Sequence, residues 1–192
     1  MTADVISLVT PLGLRLWDAA TGSAAGEGVI VGYFPASGRP VPAVRTPSGV
    51  HALRGLPGLG AAERGAGDAA FWYHSPATGS YRIDIRDPQG RYLPMGLDVM
   101  LPAFGLYVPG SSLPGLHAAV VPVFSSPARP VPAGFAVVRA QLVLDPGSPA
   151  SWARLDVGLP DGTTATGVAD GAGRVCVLFP WPEPPAGNPA DL

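Results

Sequence analysis

Glycine and proline constrain the fold of this chain more than any other residue types. The sequence contains 26 glycines and 24 prolines, about a quarter of its 192 residues. Both residues disfavour helix interiors, and so large a share without a repeat is also typical of disordered chains. The remaining composition argues against disorder, because 47% of the residues are hydrophobic and only 14% are charged. The sequence therefore predicts short strands joined by many turns.

Individual segments support this prediction. Tyr81–Arg86 alternates apolar and charged residues, which places Tyr81, Ile83 and Ile85 on one face of a strand. The Asp-Pro-Gln-Gly sequence that follows it is a strong turn. Further strands are predicted at Leu12–Trp17 and at Trp152–Leu159, the latter followed by a Pro-Asp-Gly hairpin turn. Because such short runs recur between turns and no amphipathic helix is evident, we predict an all-β protein.

An internal similarity suggests two domains. Residues 14–57 and 140–182 both read as strand, turn, strand, polar strand, turn and strand. Apolar islands such as 118–124 interrupt the Pro- and Gly-rich middle of the chain, and we expect them to pack against the domains. The predicted organisation is two small Greek-key β-sandwich modules joined by a Pro/Gly-rich connection. Its parts are a first module at 1–101, a connecting region at 102–132, a second module at 133–182 and a tail at 183–192.

Charge excludes some functions. All 12 basic residues are arginine, they are scattered singly, and the net charge is −2, so we expect no binding of nucleic acid. A phosphate-binding loop of the Walker type needs a lysine, and the chain has none. The N-terminus lacks the basic region of a signal peptide, and the long uncharged stretches are broken by proline and glycine. We therefore expect synthesis in the cytoplasm and no membrane insertion.

Residues that could carry catalysis or bind metal are sparse. His51, His74 and His117 lack metal-ligand spacing to each other or to other ligands, and no Gly-x-Ser-x-Gly motif occurs. The aspartates are explained by turn formation better than by calcium binding. The single cysteine, Cys176, lies in an apolar run and is interpreted as a small buried hydrophobe. We predict no catalytic residue, no cofactor and no metal.

Aromatic residues are the strongest candidates for contact with a partner. In Phe71-Trp72-Tyr73-His74, adjacent side chains of a strand point to opposite faces, so Trp72 and Tyr73 cannot both lie in the core. Which of the two faces the core stays open. Trp181 lies between two prolines, and such a rigid segment loses little entropy when it binds. The candidate partner-contact residues are Phe71, Trp72, Tyr73 and Trp181.

The second half of the chain resembles a known family. Trp152–Val157 and Gly167–Pro180 are similar to the carboxypeptidase regulatory-like domain, a transthyretin-like Greek-key β-sandwich. Ala169 stands where that family often has threonine. Arg45–Leu53 resembles the same stretch in the first half, with Pro47 in place of the usual aspartate. The resemblance implies the sandwich fold and, because this domain is an accessory module, no zinc.

A longer-range resemblance implies a function. Leu14–Asp18, Arg82–Pro94 and Ser126–Gly134 resemble proteins encoded with phage-tail-like extracellular contractile injection systems. This resemblance implies a non-enzymatic structural part, either in the baseplate or decorating the particle. Its partners would be baseplate, sheath or spike subunits, in a particle that can be released from the cell.

Two other functions are weighed against this one. A β-sandwich with an exposed tryptophan can bind a glycan or small ligand. A transthyretin-like hydrolase would need a paired histidine and arginine or lysine, and we find no such pair in the sequence.

Overall fold

The computed structural model describes residues 10–63, 78–103, 105–109 and 119–181. The prediction of an all-β protein is confirmed, because the one helix among these residues is the single turn α1, Gly60–Glu63. All strand pairs with a recorded register are antiparallel. The strands are β1 Leu12–Asp18, β2 Ser23–Ala24, β3 Ile30–Tyr33, β4 Val41–Pro42, β5 Val44–Arg45, β6 Val50–Leu53, β7 Gly79–Arg86, β8 Met95–Leu101, β9 Val121–Val123, β10 Phe135–Gln141, β11 Val143–Leu144, β12 Ser148–Pro149, β13 Arg154–Gly158, β14 Thr164–Val168 and β15 Arg174–Pro180.

The chain divides into two compact units that interleave along the sequence, whereas the predicted division is linear. The first unit is Met1–Trp17, Ala24–Gln89 and Pro94–Val123. The second unit is Asp18–Ser23, Gly90–Leu93 and Phe124–Leu192. The Greek-key arrangement of two modules stays a prediction.

One sheet of the first unit is organised around β1. Its strand order is β2-β1-β6-β5, and β9 also pairs with β1. Leu12, Leu14 and Leu53 point into the core of the unit and are fully buried. Val121 and Val123 of β9 are equally buried, so an apolar island within the predicted connecting region 102–132 packs as a strand of this sheet.

The second sheet of this unit has the order β4-β3-β7-β8. Ile83 and Ile85 of β7 are buried while Arg82 and Arg86 are exposed, which confirms the alternation predicted for this strand. The predicted turn after it is also present, with the backbone N–H of Gln89 donating to the side chain of Asp87.

The chain passes between the two sheets through one residue. β4 ends at Pro42 on the edge of one sheet, and β5 begins at Val44 on the edge of the other. Ala43 spans the passage, and its N–H donates to the carbonyl of Val31 over 2.8 Å. Pro42 thus lies in an edge strand, where its missing N–H costs no bond within the sheet.

Three strand pairs lie in the second unit: the short pair of β11 with β12, and two longer pairs. β10 pairs with β15 over seven residues, and β13 pairs with β14 through the predicted Pro-Asp-Gly turn. Ala169, Val175 and Val177 form the buried core between the pairs. β14 approaches β15 closely at Gly167, where an added Cβ would stand 3.0 Å from the carbonyl oxygen of Cys176.

No helix among the described residues has the length and apolar character needed to cross a membrane.

Candidate functional site

The predicted contact residues fall into two groups. Phe71, Trp72 and Tyr73 lie outside the described residues. Trp181 directly follows β15, and 67% of its surface is exposed. Its backbone N–H donates to the carbonyl of Gly134 over 2.8 Å, which fixes the backbone of Trp181 beside the start of β10 while the side chain stays in solvent.

Trp152 is a second exposed tryptophan, which sequence reasoning assigned to the start of a strand. The strand β13 begins only at Arg154, and Trp152 lies in the turn before it with a φ of 62°. It is the one non-glycine residue among those described with a positive φ. Its side chain is 57% exposed. A bulky residue in this left-handed region is rare and energetically unfavourable.

The turn that supports Trp152 is fixed by hydrogen bonds. Cζ2 of the indole lies 3.7 Å from the position that a Cβ on Gly171 would take. The hydroxyl of Ser151 donates to the carbonyl of Gly171 over 2.7 Å. Nε2 of Gln141 donates to the carbonyl of Ala172 over 2.5 Å. The loop beneath the indole is therefore held from both sides.

Asp170 closes the same loop, as the sequence predicts for a turn. Its Oδ1 accepts the backbone N–H groups of Ala172 and Arg174, each over 2.9 Å. Its Oδ2 accepts the guanidinium of Arg174. Desolvation alone would raise the pKa of Asp170, but these hydrogen bonds outweigh it and leave the pKa lowered. The loop is thus stabilised by an ionised carboxylate.

Two further apolar side chains are exposed near Trp152. Val143 and Leu144 form β11, and each is 60% exposed. They follow Leu142 directly, whose carbonyl accepts the N–H of Ala150, two residues before Trp152. We call Val143, Leu144 and Trp152 the apolar end of the second unit. Trp181 lies at the opposite end of the β10–β15 pair, because Gly134 and Leu142 bracket that pair.

A buried polar cluster lies elsewhere in the second unit. Nη1 and Nη2 of Arg129 donate to the two carboxylate oxygens of Asp18 over 2.9 and 2.5 Å. The hydroxyl of Tyr92 also donates to Asp18, and the N–H groups of Ala20 and Thr21 donate to its Oδ1. Sequence reasoning identified Asp18 as a turn residue, which is correct, and missed its bond to Arg129.

Asp18 and Arg129 form a buried ion pair in which each charge stabilises the other. Desolvation raises the pKa of Asp18, but Arg129 outweighs it and holds the pKa below its usual value. Burial likewise lowers the pKa of Arg129, and the carboxylate of Asp18 more than restores it. The two side chains are only 4% and 7% exposed, so their role is structural.

The charged residues on the outer face of β7 and β8 are paired with each other. A shallow cavity of about 240 Å³ lies on the outer face of β7 and β8. Arg86 is 2.6 Å from Asp84, and Arg82 is 3.4 Å from Asp98. The guanidinium of Arg82 also occupies the space over Gly96.

The other candidates for chemistry are buried or lie outside the described residues. Cys176 is buried as predicted, and burial raises the pKa of its thiol. His51 is buried in β6, where desolvation and the charge of Arg45 lower its pKa. His74 and His117 lie outside the described residues. The part of the chain that the structure describes contains no group of three or more potential metal ligands.

The chain matches no protein-family model, no curated protein and no solved structure. The carboxypeptidase regulatory-like and contractile-injection resemblances therefore stay predictions.

Proposed function

We propose that this protein is a non-enzymatic assembly subunit that acts through protein–protein contacts. The observation that carries the proposal is Trp152. Its indole is more than half exposed, so folding gains little from it, yet its backbone is held in an unfavourable left-handed conformation. Strained residues concentrate at functional sites, and tryptophan is the most enriched residue in the energetic centres of interfaces.

The surroundings of Trp152 support the same proposal. Val143 and Leu144 add exposed apolar surface at the same end of the unit. The loop beneath the indole is fixed by Ser151, Gln141 and Asp170, so little conformational entropy would be lost when a partner binds.

The assembly we propose is a phage-tail-like contractile injection particle, on the ground of the sequence resemblance alone. In it the chain would be a baseplate or decorating protein in contact with baseplate, sheath or spike subunits. The test is to tag the full chain in a host that produces such particles and to separate them on a density gradient.

We expect the wild-type protein to sediment with the particles. Trp152→Ala should reduce the particle-bound fraction at least about tenfold, as expected for an interface centre. Arg154→Ala, an exposed residue two positions away, is the matched control and should leave binding unchanged. Wild-type protein that stays at the top of the gradient in particle-producing cells would refute the particle assignment.

A glycan-binding module is the second candidate, and the same indole favours it. A flat aromatic ring that is more than half exposed, such as that of Trp152, offers a surface on which a sugar can stack. A glycan array probed with wild-type protein, Trp152→Ala and Trp181→Ala distinguishes glycan binding from assembly. Glycan binding that is lost only in Trp152→Ala would favour this function over assembly.

A further inference from the structure

The outer edge of β10 presents backbone hydrogen-bonding groups. Leu142 donates to the carbonyl of Gly173, and Trp181 donates to that of Gly134, so the even-numbered residues of β10 bond to β15. In an antiparallel pair the bonding direction alternates along the strand. The N–H and C=O groups of Val137 and Arg139 therefore point away from β15.

These outward groups have no partner among the described residues. The N–H of Phe135 is the exception on this edge, because it donates to the carbonyl of Pro132. β10 is paired on one side only, in a two-stranded sheet. An unpaired edge of seven residues is a template for another strand.

β10 also lacks the features by which proteins protect such edges. It contains no proline or lysine, and its pairing with β15 runs without a bulge. Its one charged side chain, Arg139, is turned back, with Nε and Nη2 donating to the carbonyls of Pro127 and Arg129. That guanidinium is therefore held away from the edge.

Exposed apolar residues lie beyond both ends of the strand. Val131 precedes β10, and Trp181 lies beside its first residues. Val143 and Leu144 follow its last residues. A two-fold axis through Val138 would bring the Val131 and Trp181 end of one copy to the Val143 and Leu144 end of the other.

Building on the assembly function proposed above, we propose that β10 pairs with β10 of a second copy of this chain. With the axis at Val138, Val137 lies opposite Arg139 of the other copy, and both residues exchange N–H···O=C bonds. Gln141 lies opposite Phe135, whose free carbonyl accepts its N–H. The result is one continuous sheet in the order β15-β10-β10-β15. A second copy fits better than an unrelated peptide because both the hydrogen-bonding groups and the apolar ends are self-complementary.

The first test is sedimentation equilibrium of the full chain with Val137→Pro. Proline removes the outward N–H and leaves the pairing with β15 intact, which edge strands tolerate. We expect a wild-type dimer and at least about a tenfold rise in its dissociation constant in the variant. Arg154→Pro removes an equivalent outward N–H from another edge strand, β13, and should leave the dimer unchanged.

The second test fixes the register and stays informative if Val137→Pro fails to fold. Val138 would lie directly opposite the same residue of the second copy in a pair without hydrogen bonds, where side chains come closest, so mild oxidation of Val138→Cys should link two chains through Cys at position 138. Ala140→Cys lies opposite residue 136 and should not link. Mass spectrometry of the linked peptides excludes the buried Cys176 as the source.

A wild-type chain that is monomeric up to its solubility limit would overturn the proposal. A dimer that persists in a folded Val137→Pro variant, or that links through position 140 instead of 138, would also overturn it. The assembly function is tested separately from the dimer. Trp152→Ala should dimerise like the wild type. A wild-type chain that binds the particle as a monomer would refute only the β10 pairing.

Discussion

Arg129 and Asp18 form a bidentate ion pair although 111 residues separate them in the sequence, and both side chains are almost completely buried. The pair joins the turn that begins at Asp18 to the segment before β10, with Tyr92 as a third member. The ring of Tyr92 also lies 4.9 Å from the guanidinium carbon of Arg129. The cluster therefore joins three distant stretches of the sequence within the second unit.

Removing one residue of the Asp18–Arg129 pair should lower the free energy of unfolding. Arg129→Gln leaves the carboxylate of Asp18 buried without its counter-charge, and we expect the free energy of unfolding to fall by about 3–5 kcal/mol. Urea denaturation measures this change. Arg154→Gln breaks an ion pair of similar length on the surface and should leave the denaturation midpoint unchanged. Equal effects of the two substitutions would contradict a structural role for the buried pair.

Protonation of Asp18 at low pH should lower the free energy of unfolding. Its folded pKa is lowered from the ordinary value of 3.8, so the unfolded chain takes up the proton at higher pH than the folded one. The stabilisation is therefore complete above 3.8 and is lost as the pH falls through the folded pKa. Asp170 has a lowered pKa as well, so wild type and Asp18→Asn must be compared. The difference between their unfolding free energies should shrink on acidification, and a constant difference would exclude this linkage.

His51 should make stability depend on pH nearer neutrality. Desolvation and the charge of Arg45 lower its folded pKa from 6.5, so the unfolded state binds the proton first as the pH falls. Stability should therefore decline as the pH falls below 6.5 toward the lowered folded pKa of His51. His51→Gln should flatten this part of the curve, and Arg45→Gln should reduce its slope. Resonances of the His51 ring in an NMR titration check the pKa directly; a pKa unmoved by Arg45→Gln would contradict the coupling.

Gly167 should tolerate no side chain. An added Cβ would stand 2.8 Å from the side chain of Val177 and 3.0 Å from the carbonyl of Cys176. We expect Gly167→Ala to lower the free energy of unfolding by about 1–3 kcal/mol. Gly158→Ala, in the paired strand, meets open space and should be neutral within about 0.5 kcal/mol. Thermal denaturation of both variants tests the close approach of β14 to β15.

The left-handed backbone of Trp152 can be tested separately from its indole. Trp152→Gly and Trp152→Ala both remove the ring, but only glycine adopts a φ of 62° without a steric penalty. The glycine variant should therefore be more stable than the alanine variant by about 1 kcal/mol. An alanine variant at least as stable as the glycine variant would show that this turn relaxes when the ring is absent.

Local patterns were sufficient to predict many strands and turns. The alternation in Tyr81–Arg86 and the turn at Asp170 depend on neighbouring residues, and the structure has both. The Asp18–Arg129 pair could not be predicted, because a turn-forming aspartate and an arginine between prolines carry no signal of each other. The predicted strand at Trp152–Leu159 begins two residues too early, because tryptophan has high β-propensity while the hydrogen bonds of the loop around Ser151 place Trp152 in the turn before β13.

The passage at Ala43 sets how the first unit tolerates changes in chain length. Because this one residue separates β4 from β5, an insertion there would have to slide one of the two strands along its neighbour. A slip of one residue turns every side chain of a strand to the other face, so the insertion would disturb two sheets at once. Affinity tags, peptide epitopes or fluorescent domains are therefore better placed in the Asp161–Gly162 hairpin of the second unit, where the flanking strands are already paired with each other.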